Sequence, residues 1–287
     1  VESPSSYSFF PSSYCVFASI TEAAEKKRVA IVGAGPAGCE AALTASKRGH
    51  QVTLFEKRGF GGAMVEASRP DNKANIRRLI RYYEEHILAD PNITLVKENA
   101  DFDTLAHGGF DAVILANGGK TRRLQVPGGD SEQVLYASDY LLGNRKAEGT
   151  RTVVIGGGIT GAETALELLR EGKEVTIVEM ADAFLAAPGS ASQAYGIEIA
   201  QSPIRILTGK RLIEVKPGQI RLTDRWGNES VLEADCVVVA AGYLPQNELA
   251  DRLEKETNLE VFHVGEPTMT SPKSSINPRL YTFRTAL

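Results

Sequence analysis

Three observations predict an α/β chain of two three-layer units on parallel sheets, the second unit inserted in the first. The stretch GAGPAGCEAALTASKRGHQVTLFEK (33–57) aligns without a gap on GGGITGAETALELLREGKEVTIVEM (156–180). Ten of the 25 positions are identical, at an offset of 123 residues. Each copy follows a short β-branched run, RVAIV (28–32) or TVVI (152–155), which suits a strand buried on both faces. Each unit then closes on a related strand, DAVILA (111–116) before Asn117-Gly118-Gly119, and ADCVVVA (234–240) before Gly242. A period this long marks a repeated structural unit.

In chain order, residues 1–27 are rich in Ser and aromatics and lack hydrophobic periodicity, so they are expected to form a tail or the remnant of a preceding domain. They have no basic segment followed by an apolar core, which argues against a secretory signal, and the absence of an initial Met fits a fragment or a processed chain. After the strand at 28–32, a helix with Leu43 on its core side is expected to stop at Gly49, where a glycine ends a helix without strain. A strand at 51–55 then ends in Glu56. A helix over 75–87, a strand over 93–97 and the strand at 111–116 complete the first unit, and Pro127-Gly128-Gly129-Asp130 supplies turn chemistry for a crossover. The second copy repeats this order: a strand at 152–155, a helix with Leu166 ending at Gly172, and a strand at 174–178 ending in Glu179. Short strands follow at 204–207, 211–215 and 219–222, before the closing strand at 234–240. The resulting division is 28–149 plus 251–287 for the first unit and 150–250 for the second.

The bulk properties exclude several classes. With 287 residues, 43% hydrophobic, the chain can bury one large core or two ordinary ones. A net charge of -4 argues against a nucleic-acid or other polyanionic partner, and no apolar run reaches the roughly 18 residues needed to span a bilayer. Cys15, Cys39 and Cys236 are far apart, so no disulfide framework, zinc site or iron–sulfur site is expected, and a reducing, cytoplasmic setting is the default. His50, His86, His107 and His263 are scattered, with no partner at catalytic spacing.

The repeated glycines carry the chemistry. In G-x-G-x-x-G after a strand, the first glycine permits the tight turn, the second lets a pyrophosphate approach the backbone, and the third lets helix and strand pack closely. Gly33, Gly35 and Gly38 fill these places in the first copy; Gly156, Gly158 and Gly161 fill them in the second. A pyrophosphate there would meet free N–H groups at the positive end of a helix, and Pro36 near the helix start costs no hydrogen bond. Glu56 and Glu179 each end the second strand, where a carboxylate accepts hydrogen bonds from an adenosine ribose. Such an acid repels a 2′-phosphate, and no Arg or Lys closely follows Glu179, so NADH is expected over NADPH. The repeat also pairs Glu40 with Glu163; each reads as a solvated helix residue or, for Glu163, as a group near a nicotinamide. Two Rossmann-type dinucleotide-binding domains are the expectation.

These residues bring a family into view. VAIVGAGPAGCEAA, VTLFEKRGFGGAM, DAVILANGG, VPGGD, VVIGGGITGAETA and ADCVVVAAGYLPQNELA span about 28–249. Together they resemble the C-terminal FAD- and NAD-binding module of the NADH:flavin oxidoreductases that include 2,4-dienoyl-CoA reductase, 2-enoate reductase and trimethylamine dehydrogenase. The resemblance implies FAD contacts from Gly33, Gly35, Pro36, Ala37, Gly38, Glu56, Lys57, Gly61 and Gly62, with Ala116, Asn117 and Gly118 nearby. It implies NAD contacts from Gly156, Gly158, Ile159, Thr160, Gly161, Glu163 and Glu179, with Gly242 closing the site. Relatives usually end on a Gly-Asp pair and a final helix; here Gly265-Glu266-Pro267 stands in that place, with the longer acid. The segment after it carries Pro272 and Pro278, and reads either as the last turns of that helix or as a Ser/Pro-rich tail. The upstream flavin-mononucleotide (FMN) barrel and four-cysteine cluster of full-length relatives are not in this sequence. The implied activity is hydride transfer from NADH to FAD and on to an acceptor or an FMN/iron–sulfur partner domain. The alternatives are a non-catalytic ADP-binding module and a fragment of a larger flavin/iron–sulfur reductase.

Overall fold

The computed structural model describes residues 20–265. The first β-branched run forms β1 (Arg28–Val32), which feeds through the glycine turn into α1 (Pro36–Lys47) and returns as β2 (Gln51–Phe55). Arg48 caps α1, and Gly49 follows at φ +89°, the left-handed conformation expected of a helix-ending glycine. Then come α2 (Met64–Ala67), a 3-10 turn at Asp71–Lys73, α3 (Ala74–Ala89), β3 (Ile93–Val96), α4 (Phe102–His107), β4 (Ala112–Leu115) and β5 (Gly119–Thr121). The chain continues through β6 (Val134–Tyr136) and α5 (Ala137–Leu141) into the second repeat, β7 (Arg151–Ile155), α6 (Ile159–Arg170) and β8 (Glu174–Val178). After α7 (Ser190–Ala200) and β9 (Arg205–Leu207), three antiparallel strands form a meander: β10 (Arg211–Lys216), β11 (Gln219–Thr223) and β12 (Glu229–Glu233). β13 (Cys236–Val239), β14 (Tyr243–Pro245), α8 (Glu248–Glu256) and β15 (Glu260–His263) complete the described chain.

Two five-stranded sheets result, ordered β15-β4-β1-β2-β3 and β6-β13-β7-β8-β9. Every strand pair in both is parallel. The strand order reverses beside β1 and beside β7, so the C-terminal edge of each sheet opens a crevice at that point, where parallel α/β sheets hold ligands. The fully buried Ile31, Leu54, Ile114 and Leu115 show why the first sheet forms, since burying each such side chain contributes about 1.5–3 kcal/mol. Helices α1 and α3 cover one face of that sheet, and α4 and α8 the other. In the second unit α5, α6 and α7 cover one face, and the meander covers the other through Leu212, Val215, Ile220 and Leu222.

The expected strands and helices of the repeat appear within a residue or two, but several connecting elements differ. β5, β6, β12 and β14 are too short or too polar to read as strands from sequence. Val134–Tyr136, which the sequence division gave to the first unit, hydrogen-bonds to β13 in the second sheet. β15 joins β4, so the chain returns to the first sheet after the second is complete. The two connecting passages pair as β5 and β14 and are further tied by Asn117 and Gln246. Asn117 Nδ2 donates to Gln246 O (3.3 Å), and Gln246 Nε2 donates to Asn117 O (3.2 Å). Cys15, Glu266, Pro267 and the terminal Pro-containing segment lie outside the described residues.

Candidate functional site

Gly33 leaves β1 with φ +101°, its N–H donating to Phe55 O (2.8 Å). A Cβ there would lie 2.5 Å from Ala116 O. A Cβ on Gly38 would lie 1.8 Å from Gly33 O, so helix and turn meet backbone to backbone. The first bond of α1 is Cys39 N to Gly35 O (2.9 Å). The N–H groups of Ala37 and Gly38 therefore point out of the helix end, and Pro36 has none to lose. The first turn carries no acid to neutralise that end. Gly62 closes the opposite wall: a Cβ on it would lie 2.9 Å from Gly35 Cα, and Gly61 N donates to Ala34 O (2.8 Å).

The second cradle repeats the glycine-turn contacts of the first. Gly156 has φ +115°, and a Cβ there would lie 2.4 Å from Ala240 O; one on Gly161 would lie 1.9 Å from Gly156 O. Ala162 N to Gly158 O (2.9 Å) opens α6, again with no acid in the first turn, leaving the N–H groups of Ile159, Thr160 and Gly161 free of helix partners. Around Gly158 a Cβ would meet nothing within 4 Å, so the space above the loop is open.

The two acids also match. Glu56 Oε2 accepts from Ala34 N (2.8 Å) and Oε1 from Arg58 N (2.6 Å). Glu179 Oε2 accepts from Gly157 N (2.6 Å) and Oε1 from Ala181 N (2.6 Å). Each carboxylate thus spans the glycine loop and the start of the next loop, at the crevice of its sheet. Glu56 Oε1 also accepts from Gly59 N (3.4 Å), while Glu56 Oε2 and both oxygens of Glu179 keep a lone pair for a ribose hydroxyl.

The symmetry breaks at the other paired acids. Glu40 is exposed, and the Tyr83 hydroxyl donates to it at 3.5 Å. Glu163 is buried, 7% exposed at its side chain, and takes a salt bridge from Lys73 Nζ (2.6 Å) and a hydrogen bond from the Tyr195 hydroxyl (2.7 Å). The ammonium also lies 5.4 Å from the Tyr195 ring centroid. Burial pulls the Lys73 ammonium down, but Glu163 and Tyr195 outweigh it and the net shift is upward. Lys73 comes from the 3-10 turn of the first unit and Glu163 from α6 of the second, so the pair joins the two units. Sequence reasoning found Glu163 but not its partners, because nothing local in the sequence pairs residues 73, 163 and 195.

The remaining expected residues also lie at the crevices. Ala116 follows β4, and its carbonyl backs Gly33. Asn117 Oδ1 is buried and has no hydrogen-bond partner among the described residues; beside it Gly118 has φ +62° with open space around its Cβ direction. An unsatisfied acceptor next to a glycine gap fits an incoming hydrogen-bonding ligand. Val264 N donates to Leu115 O (2.9 Å), which sets Gly265 (φ +113°) beside Ala116. Gly242, at φ +79°, accepts from Arg122 N (3.0 Å) where β5 and β14 meet. Lys57 is exposed; the basic side chain engaged at this mouth is Arg58, donating to Gly62 O (3.3 Å) and to the buried Glu66 (3.1 Å).

No redox thiol pair exists among the described residues. Cys39 lies in α1 and Cys236 in β13, both buried and free. Burial, reinforced by the charges of Glu56 and Glu40, pushes the Cys39 thiol up to about 12, and burial also raises Cys236. Neither is a thiolate at neutral pH. Both should therefore escape iodoacetamide at pH 8 in the folded protein and label fully in urea, as peptide mass mapping would read; native labelling of either would contradict this packing. Of the histidines, His50 is buried and its Nδ1 accepts from Lys27 N (3.0 Å), while His86 and His107 bond to the carbonyls of their own helices. Among the described residues there is no cluster of metal-ligating side chains and no helix long and apolar enough to cross a membrane.

Residues 27–275 match the family model described as pyridine nucleotide-disulphide oxidoreductase. Cinnamate reductase of Clostridium sporogenes is 37% identical over 235 residues, covering 80% of this chain and 35% of the relative. NADH oxidase of Thermoanaerobacter brockii is 35% identical over 257 residues, covering 88% and 39%. The solved complex of 2-naphthoyl-CoA reductase with 2-naphthoyl-CoA superposes with a TM-score of 0.79 at 30% identity, covering 88% of this chain and 38% of that one. The chain thus spans between 35% and 39% of the length of these relatives. A parallel-sheet fold with two nucleotide cradles, a family match over most of the sequence and relatives of the 2-enoate reductase group agree: the chain belongs to the pyridine nucleotide-disulphide oxidoreductase family of flavoproteins.

Proposed function

We propose that this chain is a module that takes hydride from NADH onto FAD and delivers electrons to a separate acceptor. Hydride transfer is the chemistry the two cofactors supply when bound; the chain's part is to bind, orient and exclude water. The observation that carries the reading is the duplicated carboxylate clamp. Glu56 and Glu179 each hold a glycine-loop N–H and the N–H two residues beyond themselves, with bonds of 2.6–2.8 Å. FAD is assigned to the first cradle, between Gly33–Gly38 and Gly61–Gly62, with Asn117 and Gly118 facing it. Gly265 completes that wall, and Glu266 lies outside the described residues. NADH is assigned to the second cradle, with Gly242 at its rim and the Lys73–Glu163 pair where the two cofactors would meet.

The acceptor is assigned to an FMN/iron–sulfur domain of the kind expected from the resemblance. The relatives' additional length, beyond the 35% to 39% this chain spans, supports that assignment.

Purified protein should be yellow and should bleach stoichiometrically on anaerobic NADH titration. A 2′-phosphate within about 4 Å of the Glu179 carboxylate costs roughly 1–4 kcal/mol, so NADPH should need at least about fivefold higher concentration. A colourless protein that releases ADP on denaturation would instead make it a nucleotide-binding module, and equal use of NADPH would overturn the role given to Glu179.

A further inference from the structure

Trp226 is the one tryptophan of the chain and is 73% exposed, at the turn between β11 and β12. A large indole on a hairpin tip adds nothing to the core, yet this turn is tightly built. Asp224 Oδ1 accepts from Trp226 N (3.0 Å) and Asn228 N (2.9 Å), and Oδ2 accepts from Asn228 Nδ2 (3.1 Å). Gly227 supplies the φ of +84° that the turn needs. The meander's direction sets where the tip stands. β9 ends at the crevice edge of the second sheet, β10 runs away from that edge, and β11 returns, so residues 224–228 lie on the edge that carries Glu179.

Side-chain and backbone ties confirm the placement. Lys210 N donates to Glu179 O (3.0 Å), and Lys210 Nζ lies 3.5 Å from Asp224 Oδ2. Gly209 N donates to Ala181 O (2.8 Å). Arg225 Nη1 pairs with Asp182 Oδ2 (3.2 Å), while the same guanidinium lies 4.7 Å from the Trp226 ring centroid. The turn is thereby fastened to the loop that follows the acid. On that loop Met180, next to Glu179, is 74% exposed. Two large, mostly exposed apolar side chains thus stand at the crevice edge where a nucleotide's adenosine would rest, on the edge that carries Glu179. The first unit has no such turn, because its crossover from β3 to β4 is the helix α4.

We infer that Trp226 is a positioning residue for the second cradle, stacking on the adenine of the dinucleotide held there, with Met180 flanking the base and the Arg225–Asp182 pair steadying the turn. The inference rests on the assignment of a nicotinamide dinucleotide to that cradle. An indole face and a polarisable thioether suit a flat heteroaromatic base. Stacking of this kind tolerates any base, so the acid sets the sugar chemistry and the indole adds affinity.

The single tryptophan makes the test direct. Flavin-loaded protein is titrated with ADP-ribose, which has the adenosine and pyrophosphate but no nicotinamide to accept excitation energy. Tryptophan emission should fall by about half or more, saturating with the calorimetric binding isotherm. W226A should weaken ADP-ribose about tenfold, W226F by about threefold or less, and neither should move the melting temperature, since the side chain is exposed. ADP-ribose that binds wild type and W226A equally, or binds without changing the emission, overturns the stacking role and leaves the cradle assignment standing. Wild type that binds no ADP-ribose by calorimetry overturns the cradle assignment and the inference with it.

Discussion

Gly33→Ala should give a protein that no longer retains flavin and unfolds at clearly lower denaturant. The glycine sits at φ +101°, and the added Cβ would fall 2.5 Å from Ala116 O and 3.0 Å from Ala116 C, both main-chain atoms. Neither can swing aside as a side chain would, because Gly33 N is bonded to Phe55 O and Ala116 N to Val32 O (2.8 and 2.9 Å). A strained backbone costs about 1–3 kcal/mol, and overpacking a buried contact about 1–3 kcal/mol more. A loss of roughly 4 kcal/mol is a large part of the 5–15 kcal/mol typical of a domain's whole stability. Gly172→Ala, at the far end of α6, is the control. It also lies at positive φ, +82°, but its Cβ would meet nothing within 4 Å, so only the backbone term of about 1–2 kcal/mol applies. Urea midpoints and flavin per protein chain measure both. Wild-type values for Gly33→Ala would mean that β1 and β4 do not meet at this turn.

What the sequence made legible is what short-range rules control. The glycine spacing and the acid at the strand end give the βαβ unit, and the identical bond pattern of Glu56 and Glu179 follows from identical spacing 123 residues apart. The repeat reads clearly because each glycine answers a local steric demand. Beyond that range the signal fades. β6 and β14 have three residues each, too few for a pattern, and their placement depends on which strand offers an unpaired edge. Glu40 and Glu163 look equivalent in sequence, yet one is exposed and the other buried, because only the second unit's helix faces the first unit's 3-10 turn. Trp226 likewise reads as an unremarked turn residue until the meander's direction brings it to the crevice edge.

Lys73→Met should cost about 3 kcal/mol at pH 8, near the lower end for breaking a buried ion pair. The Glu163 side chain is 7% exposed and that of Lys73 22%, and without the ammonium the Tyr195 hydroxyl is the carboxylate's one remaining partner among the described residues. The buried carboxylate is then left without its counter-charge, and most of the loss arises there. In the wild type Lys73 is raised, so its contribution is present below the unfolded lysine value and lost as pH rises through the folded one. A double variant, Lys73→Met with Glu163→Leu, replaces the pair by an apolar contact and should recover most of the stability. Stopped-flow reduction of its flavin by NADH should nevertheless stay at least about tenfold slow, because the polar group proposed beside the meeting point of the cofactors is gone. Wild-type reduction by the double variant would make the pair an architectural contact between units. Undiminished stability of the single variant at pH 8 would mean that Glu163 is not held in the buried setting its neighbours define.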